Sequence, residues 1–403
     1  MTKLRYGTIV PLIGGMTVAN KQVVGQEPDL FLSYTPFASN EESAKAYFPT
    51  TPHFNLDDPE SVKGFDIEKY RNIDFMSAVC PCAGLSMLSR GKPEQKAAMN
   101  QWMIKATEFM TGTLRPKVYW GENAPALATA AGKEVRDQLR EIGRKNGYSM
   151  TVYATNTALH GIPQIRKRSF YFFWRDTNAP ILEYYDKPKK NLGDYLAEIP
   201  AAANPQSDIT LSQLQLHGDP YYRYLYCIGE GLSGVRLWLD EHNINTITLS
   251  RYIQISGKID DACKFFSESD EIDMQRAGKE LRRIKEKTDA GKGVWDGSIS
   301  IFNPKMEFLA LVHRKLDSIH PVEDRIITIR ECLHLMGLPH DFKLTTGVLN
   351  HICQNVPVCT AADMTREVVA YLKGDREIST ANFMMQNNNS RQVAHQESSF
   401  LTF

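Results

Sequence analysis

No stretch of the 403-residue sequence approaches the ~18 uninterrupted apolar positions of a membrane-crossing helix, so no span is expected. The opening Met-Thr-Lys-Leu-Arg-Tyr leads into a strand-like segment and carries none of the apolar core of a secretory signal. Cysteine is scarce. Seven residues, an odd number, do not make a disulfide framework. Cys80 and Cys82 are spaced C-x-C, but no second pair or histidine cluster with zinc spacing joins them, so no metal site is expected. Excess charge is also missing, with 47 basic residues against 47 acidic ones. That excludes a generally basic surface, so any nucleic-acid contact requires positive charge gathered locally. There is no internal repeat. What is present is an ordinary globular composition, 42% hydrophobic and 23% charged, with length enough for one large or two ordinary domains. A reducing, cytoplasmic setting fits these features.

Short apolar runs alternate with helical stretches over the first part of the chain. Tyr6–Leu12, Ile73–Val79, Val118–Trp120, Met150–Ala154 and Ser169–Trp174 read as strands. Pro36–Tyr47, Gln95–Met110 and Lys133–Lys145 read as helices. Such alternation predicts a parallel sheet covered on both faces, with ligands at the carboxyl ends of the strands. Residues 185–206, rich in Lys, Pro, Asn and Ala, read as a linker. The region from about 190 to 320 is mixed, and the basic residues of Arg276–Lys287 read as a solvated helix face. Pattern returns at 327–339 and in a helix over Ala361–Leu372. From Ile378 the sequence, with Gln-Asn-Asn-Asn-Ser, reads as disordered.

Three short segments stand out by order and spacing. Ala-Val-Cys-Pro-Cys-Ala-Gly-Leu-Ser (78–86) places Cys82 just after a proline and a predicted strand. Gly-Glu-Asn-Ala-Pro (121–125) places Glu122 and Asn123 after another. His-Gly-Ile-Pro-Gln-Ile-Arg-Lys-Arg (160–168) sets Arg166 and Arg168 two apart, on one face of a predicted strand. Singly, each has a plainer reading: a buried cysteine, a surface turn, a paired strand edge. Jointly they resemble the cytosine-C5 DNA methyltransferase family. The resemblance covers most of 6–175 and 320–372 and implies a mechanism. A Cys82 thiolate adds to C6 of a flipped-out cytosine in DNA. Glu122 protonates or hydrogen-bonds N3, a role that favours a raised carboxyl pKa. Arg166 and Arg168 hold the base carbonyl and the neighbouring phosphate, and Asn123 braces the loop.

The same resemblance implies an α/β Rossmann-like fold, dependent on S-adenosylmethionine, with an inserted smaller target recognition domain. The expected division is 1–185 and 321–376 for the catalytic domain, 186–320 for recognition and 377–403 for a flexible tail. DNA is the implied partner, in a bacterial cell or a phage-infected host. Ile13-Gly14-Gly15 resembles the end of the glycine-rich turn at the cofactor, and Asp66-Ile67 the acidic contact to its adenine. Ser33 and Tyr34 fall where the family grips the ribose, Pro81 before the catalytic thiol, and Gln354 and Asn355 in the last motif, which returns to the cofactor. Arg330-Glu331 resembles a late structural motif. Departures cluster on the cofactor side. Thr8 stands for an Asp, Pro11-Leu12 for Ser-Gly, Ser33 for a ribose-binding acid, and Cys353-Gln354 for Gly-Asn. These changes leave two alternatives open beside methyl transfer: the same cytosine chemistry with a modified S-adenosylmethionine or another one-carbon donor, and a non-catalytic DNA-binding relative.

Overall fold

The computed structural model describes residues 3–81, 84–85, 93–292, 298–311, 316–345 and 349–391. The chain divides into two compact units, residues 1–189 with 336–403, and residues 190–335. Residues 321–335, expected with the catalytic part, therefore fall in the second unit.

The first unit is built on one eight-stranded sheet. Its strands are β1 (Tyr6–Ile9), β2 (Leu30–Ser33), β3 (His53–Asn55), β4 (Phe75–Ala78), β5 (Val118–Asn123), β6 (Tyr148–Asn156), β7 (Lys167–Arg175) and β8 (Phe383–Asn387). Their order across the sheet is β8-β6-β7-β5-β4-β1-β2-β3. All pairings are parallel except those of β7, which runs antiparallel to both β5 and β6. The alternation of elements predicted parallel strands throughout. The reversal follows from connection length, because the few residues between β6 and β7 cannot make a helical crossover. The chain turns away on opposite sides after β1 and after β4, so their carboxyl ends meet at the switch point where such sheets bind ligands.

Burial explains the strands' composition. Every residue of β5 is buried, as is Ser169–Trp174 of β7, which suits near-continuous apolar runs. Trp120 stacks on Phe172 at 5.7 Å, and Phe172 on Trp174 at 5.3 Å. Gly121 is required here, since a Cβ would lie 2.3 Å from the Tyr171 hydroxyl. The covering helices are α1 (Gly15–Val24), α2 (Glu42–Tyr47), α3 (Pro93–Glu108), α4 (Lys133–Lys145) and α5 (Val358–Lys373). In α4 the buried Val135, Leu139 and Gly143 recur at i, i+4 and i+8, with charge elsewhere. The helix predicted over Pro36–Tyr47 is instead a 3₁₀ turn, Thr35–Asn40, followed by α2.

Part of the expected flexible tail is a strand, β8, while residues 392–403 lie outside the described residues. Phe383–Asn387 pairs in parallel with β6, and the Gln386 side chain accepts from Leu182 N and donates to Leu182 O, both at 3.0 Å. Likewise the expected linker contains a helix, Leu192–Leu196, with Leu192, Tyr195 and Leu196 buried.

The second unit is mostly helical, with helices Gln206–His217, Pro220–Cys227, Gly231–Glu241, Leu249–Ile255, Ile259–Ser267 and Ile272–Asp289. Leu225, Leu232, Val235, Leu239, Phe266 and Leu281 belong to its own apolar core. The Arg330-Glu331 motif is structural. Thr328 and Glu331 cap a helix reciprocally: Glu331 N donates to Thr328 Oγ1 at 3.2 Å, and Thr328 N to Glu331 Oε2 at 2.8 Å. Buried Arg325 donates to both oxygens of the same carboxylate, at 2.6 and 2.9 Å. This unit has 18 Lys and Arg against 22 Asp and Glu, and the first unit 29 against 25.

Candidate active site

Glu122 is the penultimate residue of β5, at its carboxyl end, and is only 2% exposed. Arg168, at the start of β7, brings its Nε to 2.5 Å from Glu122 Oε1. The two groups form a buried ion pair, and neither of these atoms has another hydrogen-bond partner among the described residues. Burial raises the Glu122 carboxyl above its ordinary range, and the nearby Arg168 and Arg166 guanidiniums only partly offset this. The result is a carboxyl group with a raised pKa beside a cation, at the ligand-binding edge of the sheet.

Arg166 departs from expectation. It lies between two strand segments rather than sharing a strand face with Arg168 and is buried. Its Nη2 donates to Cys353 O at 2.6 Å and to Asn355 O at 3.0 Å. A guanidinium removed from water needs such acceptors, and the carboxyl end of the helical turn Leu349–Gln354 supplies them. These bonds hold that segment. Asn123 points away from Glu122, as alternation along a strand requires. Its Oδ1 accepts from Ala124 N at 2.8 Å, bracing the loop's first residue. Cys82 lies outside the described residues. Pro81 before it is half-buried, beyond β4.

The loop 157–166 is anchored from both ends. Asn156 Oδ1 accepts from Ala158 N and Arg166 N. His160 Nδ1 lies 2.8 Å from Asp363 Oδ2 on α5, and its Nε2 2.8 Å from Thr155 Oγ1. Burial pushes the His160 pKa down, which favours the neutral ring. In the sequence His160 only begins a motif, and nothing there pairs it with Asp363.

On the other flank of the switch point, the turn after β1 is strained. Val10 and Leu12 both have φ of 52° and Gly14 has 106°, so two side-chain-bearing residues adopt a conformation natural to glycine. Ile13 is buried, and Gly15 N donates to Asn355 Oδ1 at 3.0 Å. Gln354 is exposed. Thr8, standing for an acid, joins a buried hydroxyl network with Ser77 at 2.9 Å and Thr17 at 3.0 Å.

The carboxylate absent from the end of β2 arrives from elsewhere. Ser33 Oγ donates to Glu41 Oε1, and Glu41 Oε2 lies 2.9 Å from His53 Nε2 on β3. Next along, Asp57 Oδ1 accepts from Thr35 N at 2.8 Å and Thr35 Oγ1 at 2.7 Å. Tyr34, between these groups, is buried under Trp102, with ring centroids 5.0 Å apart, and its hydroxyl has no partner among the described residues. Asp66 has a structural task of its own. It is exposed and caps the turn Ile67–Tyr70, accepting from Glu68 N at 3.1 Å and Lys69 N at 3.3 Å. Half-buried Ile67 begins that turn. The acid just past the carboxyl end of β3 is Asp57.

The family model for C-5 cytosine-specific DNA methylases matches residues 13–367. Solved structures agree in fold. One is an E. coli protein described as a DNA modification methyltransferase encoded within a prophage. It is 15% identical, with a TM-score of 0.56, covering 92% of this chain and 99% of that one. The Entamoeba histolytica methyltransferase EhMeth is 12% identical, with a TM-score of 0.53 and the same coverage. The S. pombe Dnmt2 methyltransferase is 11% identical, with a TM-score of 0.51 and again the same coverage. No curated protein matches the chain in sequence.

Proposed function

Because the chain belongs to the C-5 cytosine-specific DNA methylase family, and is thus a methyltransferase, we propose that it methylates C5 of a flipped-out cytosine in DNA through a covalent Cys82–C6 intermediate, with S-adenosylmethionine as donor. The observation that carries this reading is the buried Glu122–Arg168 pair. It holds a carboxyl with a raised pKa and a guanidinium at the carboxyl end of neighbouring strands. Buried polar atoms with no hydrogen-bond partner beyond each other can turn to a ligand, and a pyrimidine offers the complementary ring nitrogen and carbonyl.

The steps follow from the residues. The Cys82 thiolate adds to C6 while protonated Glu122 hydrogen-bonds or protonates N3, drawing electron density from C6 toward the ring edge. Arg168 donates to the base carbonyl and stabilises the charge that develops there. Bound S-adenosylmethionine supplies the electrophilic methyl group that C5 attacks. A base then removes the C5 proton, the C5–C6 double bond re-forms and Cys82 leaves as thiolate. The base reaches this pocket only out of the stack.

The described residues suit the donor. The turn at Gly14–Gly15 offers close backbone approach, Tyr34 offers an aromatic wall with an unpartnered hydroxyl, and Glu41 and Asp57 place carboxylates at the ends of β2 and β3. Glu41 also weakens the motive for a different donor, which rested on the loss of the acid at Ser33. We read residues 190–335 as the target-recognition part and the protein as a monomer acting on DNA. None of the helices among the described residues is long and apolar enough to cross a membrane.

Trapping on duplex DNA containing 5-fluorocytosine tests the mechanism. With S-adenosylmethionine present, the wild type should form a covalent adduct stable to denaturation, and Cys82→Ala should form none. A wild type that forms no adduct on any DNA while still binding the cofactor would overturn the reading.

A further inference from the structure

We propose that Asn355 is a positioning residue that couples the cofactor turn to the base-side acid. The inference rests on reading residues 10–15 as the cofactor turn. Asn355 is fully buried and faces two ways at once. Its side-chain Oδ1 accepts from Gly15 N, the first residue of α1, at 3.0 Å. Its Nδ2 donates to Val356 O at 3.1 Å, which fixes the amide so that the oxygen faces the helix. Its backbone carbonyl accepts from Arg166 Nη2 at 3.0 Å, and Cys353 O takes the same donor at 2.6 Å. Arg166 stands two residues before Arg168, whose Nε lies 2.5 Å from Glu122 Oε1. Gly15, Asn355, Arg166 and, through the start of β7, Arg168 and Glu122 thus form one path from the glycine turn to the carboxyl group.

There is no slack at the first link. A Cβ placed on Gly15 would lie 2.2 Å from Asn355 Nδ2 and 2.6 Å from its Oδ1. A ligand that shifts the Gly14–Gly15 backbone must therefore move Asn355, and both acceptors of Arg166 move with that segment. Two sites that bias one shared element are linked reciprocally, so a filled cofactor turn strengthens capture of the base by the same factor that a captured base strengthens cofactor binding. Asn355 touches no reacting atom in this scheme. It transmits position.

Hydrogen exchange on the intact chain, with S-adenosylhomocysteine as the probe and calorimetry confirming its binding, tests the coupling. In the wild type the probe should slow exchange at residues 13–18 and also, by roughly fivefold or more, at 164–168. In Asn355→Ala the response at 13–18 should persist and that at 164–168 should vanish. A purely structural residue would not produce that split. Equal slowing at 164–168 in wild type and Asn355→Ala overturns the proposal. So does a wild type in which only 13–18 responds. If Asn355→Ala does not fold, Arg166→Lys cuts the chain at its other link and should give the same split. Calorimetry showing no binding of the probe to the wild type would instead overturn the cofactor reading, and the coupling with it.

Discussion

The two flanks of the switch point solve similar problems by different means. On the base side, Glu122 and Arg168 are ion-paired across neighbouring strands at the ends where the motifs put them. On the cofactor side, chemistry has been redistributed. A hydroxyl network replaces the acid at Thr8, the carboxylate beside Ser33 comes from Glu41, and Leu12 bears a left-handed backbone where glycine would suffer no strain. A group that meets a reacting ring must stand at one point in space, which strand register alone delivers. A group that holds the periphery of a ligand can be supplied by any nearby segment with a free acceptor. Rigid demand preserves residue and position together, whereas loose demand preserves only the charge or the hydrogen bond.

The contrast breaks most sharply at Glu122. Glu122→Gln keeps shape and loses the acid, so methyl transfer should fall by roughly 10²- to 10⁴-fold, measured with labelled donor under single-turnover conditions, with cofactor affinity unchanged. If cofactor affinity falls as well, the two flanks are not separable. In the proposed mechanism the protonated carboxyl acts, so the wild-type rate should also fall as pH rises through the raised Glu122 pKa. The stability sign agrees. Folding favours the protonated form, so the contribution of this group is fully present below the unfolded-state pKa and is lost as pH rises through the folded one.

Arg168→Ala sharpens the same side. Removing the partner abolishes an influence that lowers the Glu122 pKa, so the alkaline limb of the rate profile should move to higher pH. Loss of one charge-assisted contact to the base, worth about 1.5–3 kcal/mol, implies roughly a 10- to 100-fold lower rate at the optimum. An unmoved limb would mean that Glu122 is not the group titrating.

Much of this architecture could be read from sequence, and the failures have physical causes. Lys133–Lys145 was bounded as observed because its charged and apolar faces separate cleanly. The reversal of β7 was hidden, since period-2 alternation carries no direction; only the short link from β6 did. Phe-Met-Met-Gln-Asn at 383–387 was masked by polar neighbours, although β6 gives it a parallel partner. Asp66 has a local role that spacing already signals, since an Asp two residues before Glu at a helix start is a cap. Glu41, His53, His160 and Asp363 were beyond reach, because each acquires meaning only from a partner brought alongside by folding.

On the cofactor side a smaller loss is expected from Ser33→Ala. It takes a hydroxyl donor from the buried Glu41 carboxylate but leaves His53 in place. Stability should fall by about 1.5 kcal/mol, seen as a lower urea midpoint at constant slope. Cofactor affinity should weaken with it, and base-side chemistry at saturating cofactor should stay intact. An unaltered cofactor affinity would show that this carboxylate serves the fold alone.

The smallest effect concerns Thr8, and its value lies in the sign of two substitutions. Thr8→Val keeps the branched shape that β1 accommodates but removes the oxygen to which Thr17 donates and with which Ser77 pairs. Ser77 retains Asn20 as a donor, so most of the cost is the stranded Thr17 hydroxyl, about 1 kcal/mol. Thr8→Asp would restore the acid of the family pattern. If that acid's role were still available at this position, the change would improve cofactor binding. The position is fully buried, among hydroxyls and without a cation to pair with among the partners described. A carboxylate there pays desolvation with no compensating charge, so Thr8→Asp should destabilise the fold more than Thr8→Val and gain nothing in affinity. Thermal unfolding of the two variants side by side, with and without cofactor, decides whether the flank has been rebuilt around its hydroxyl.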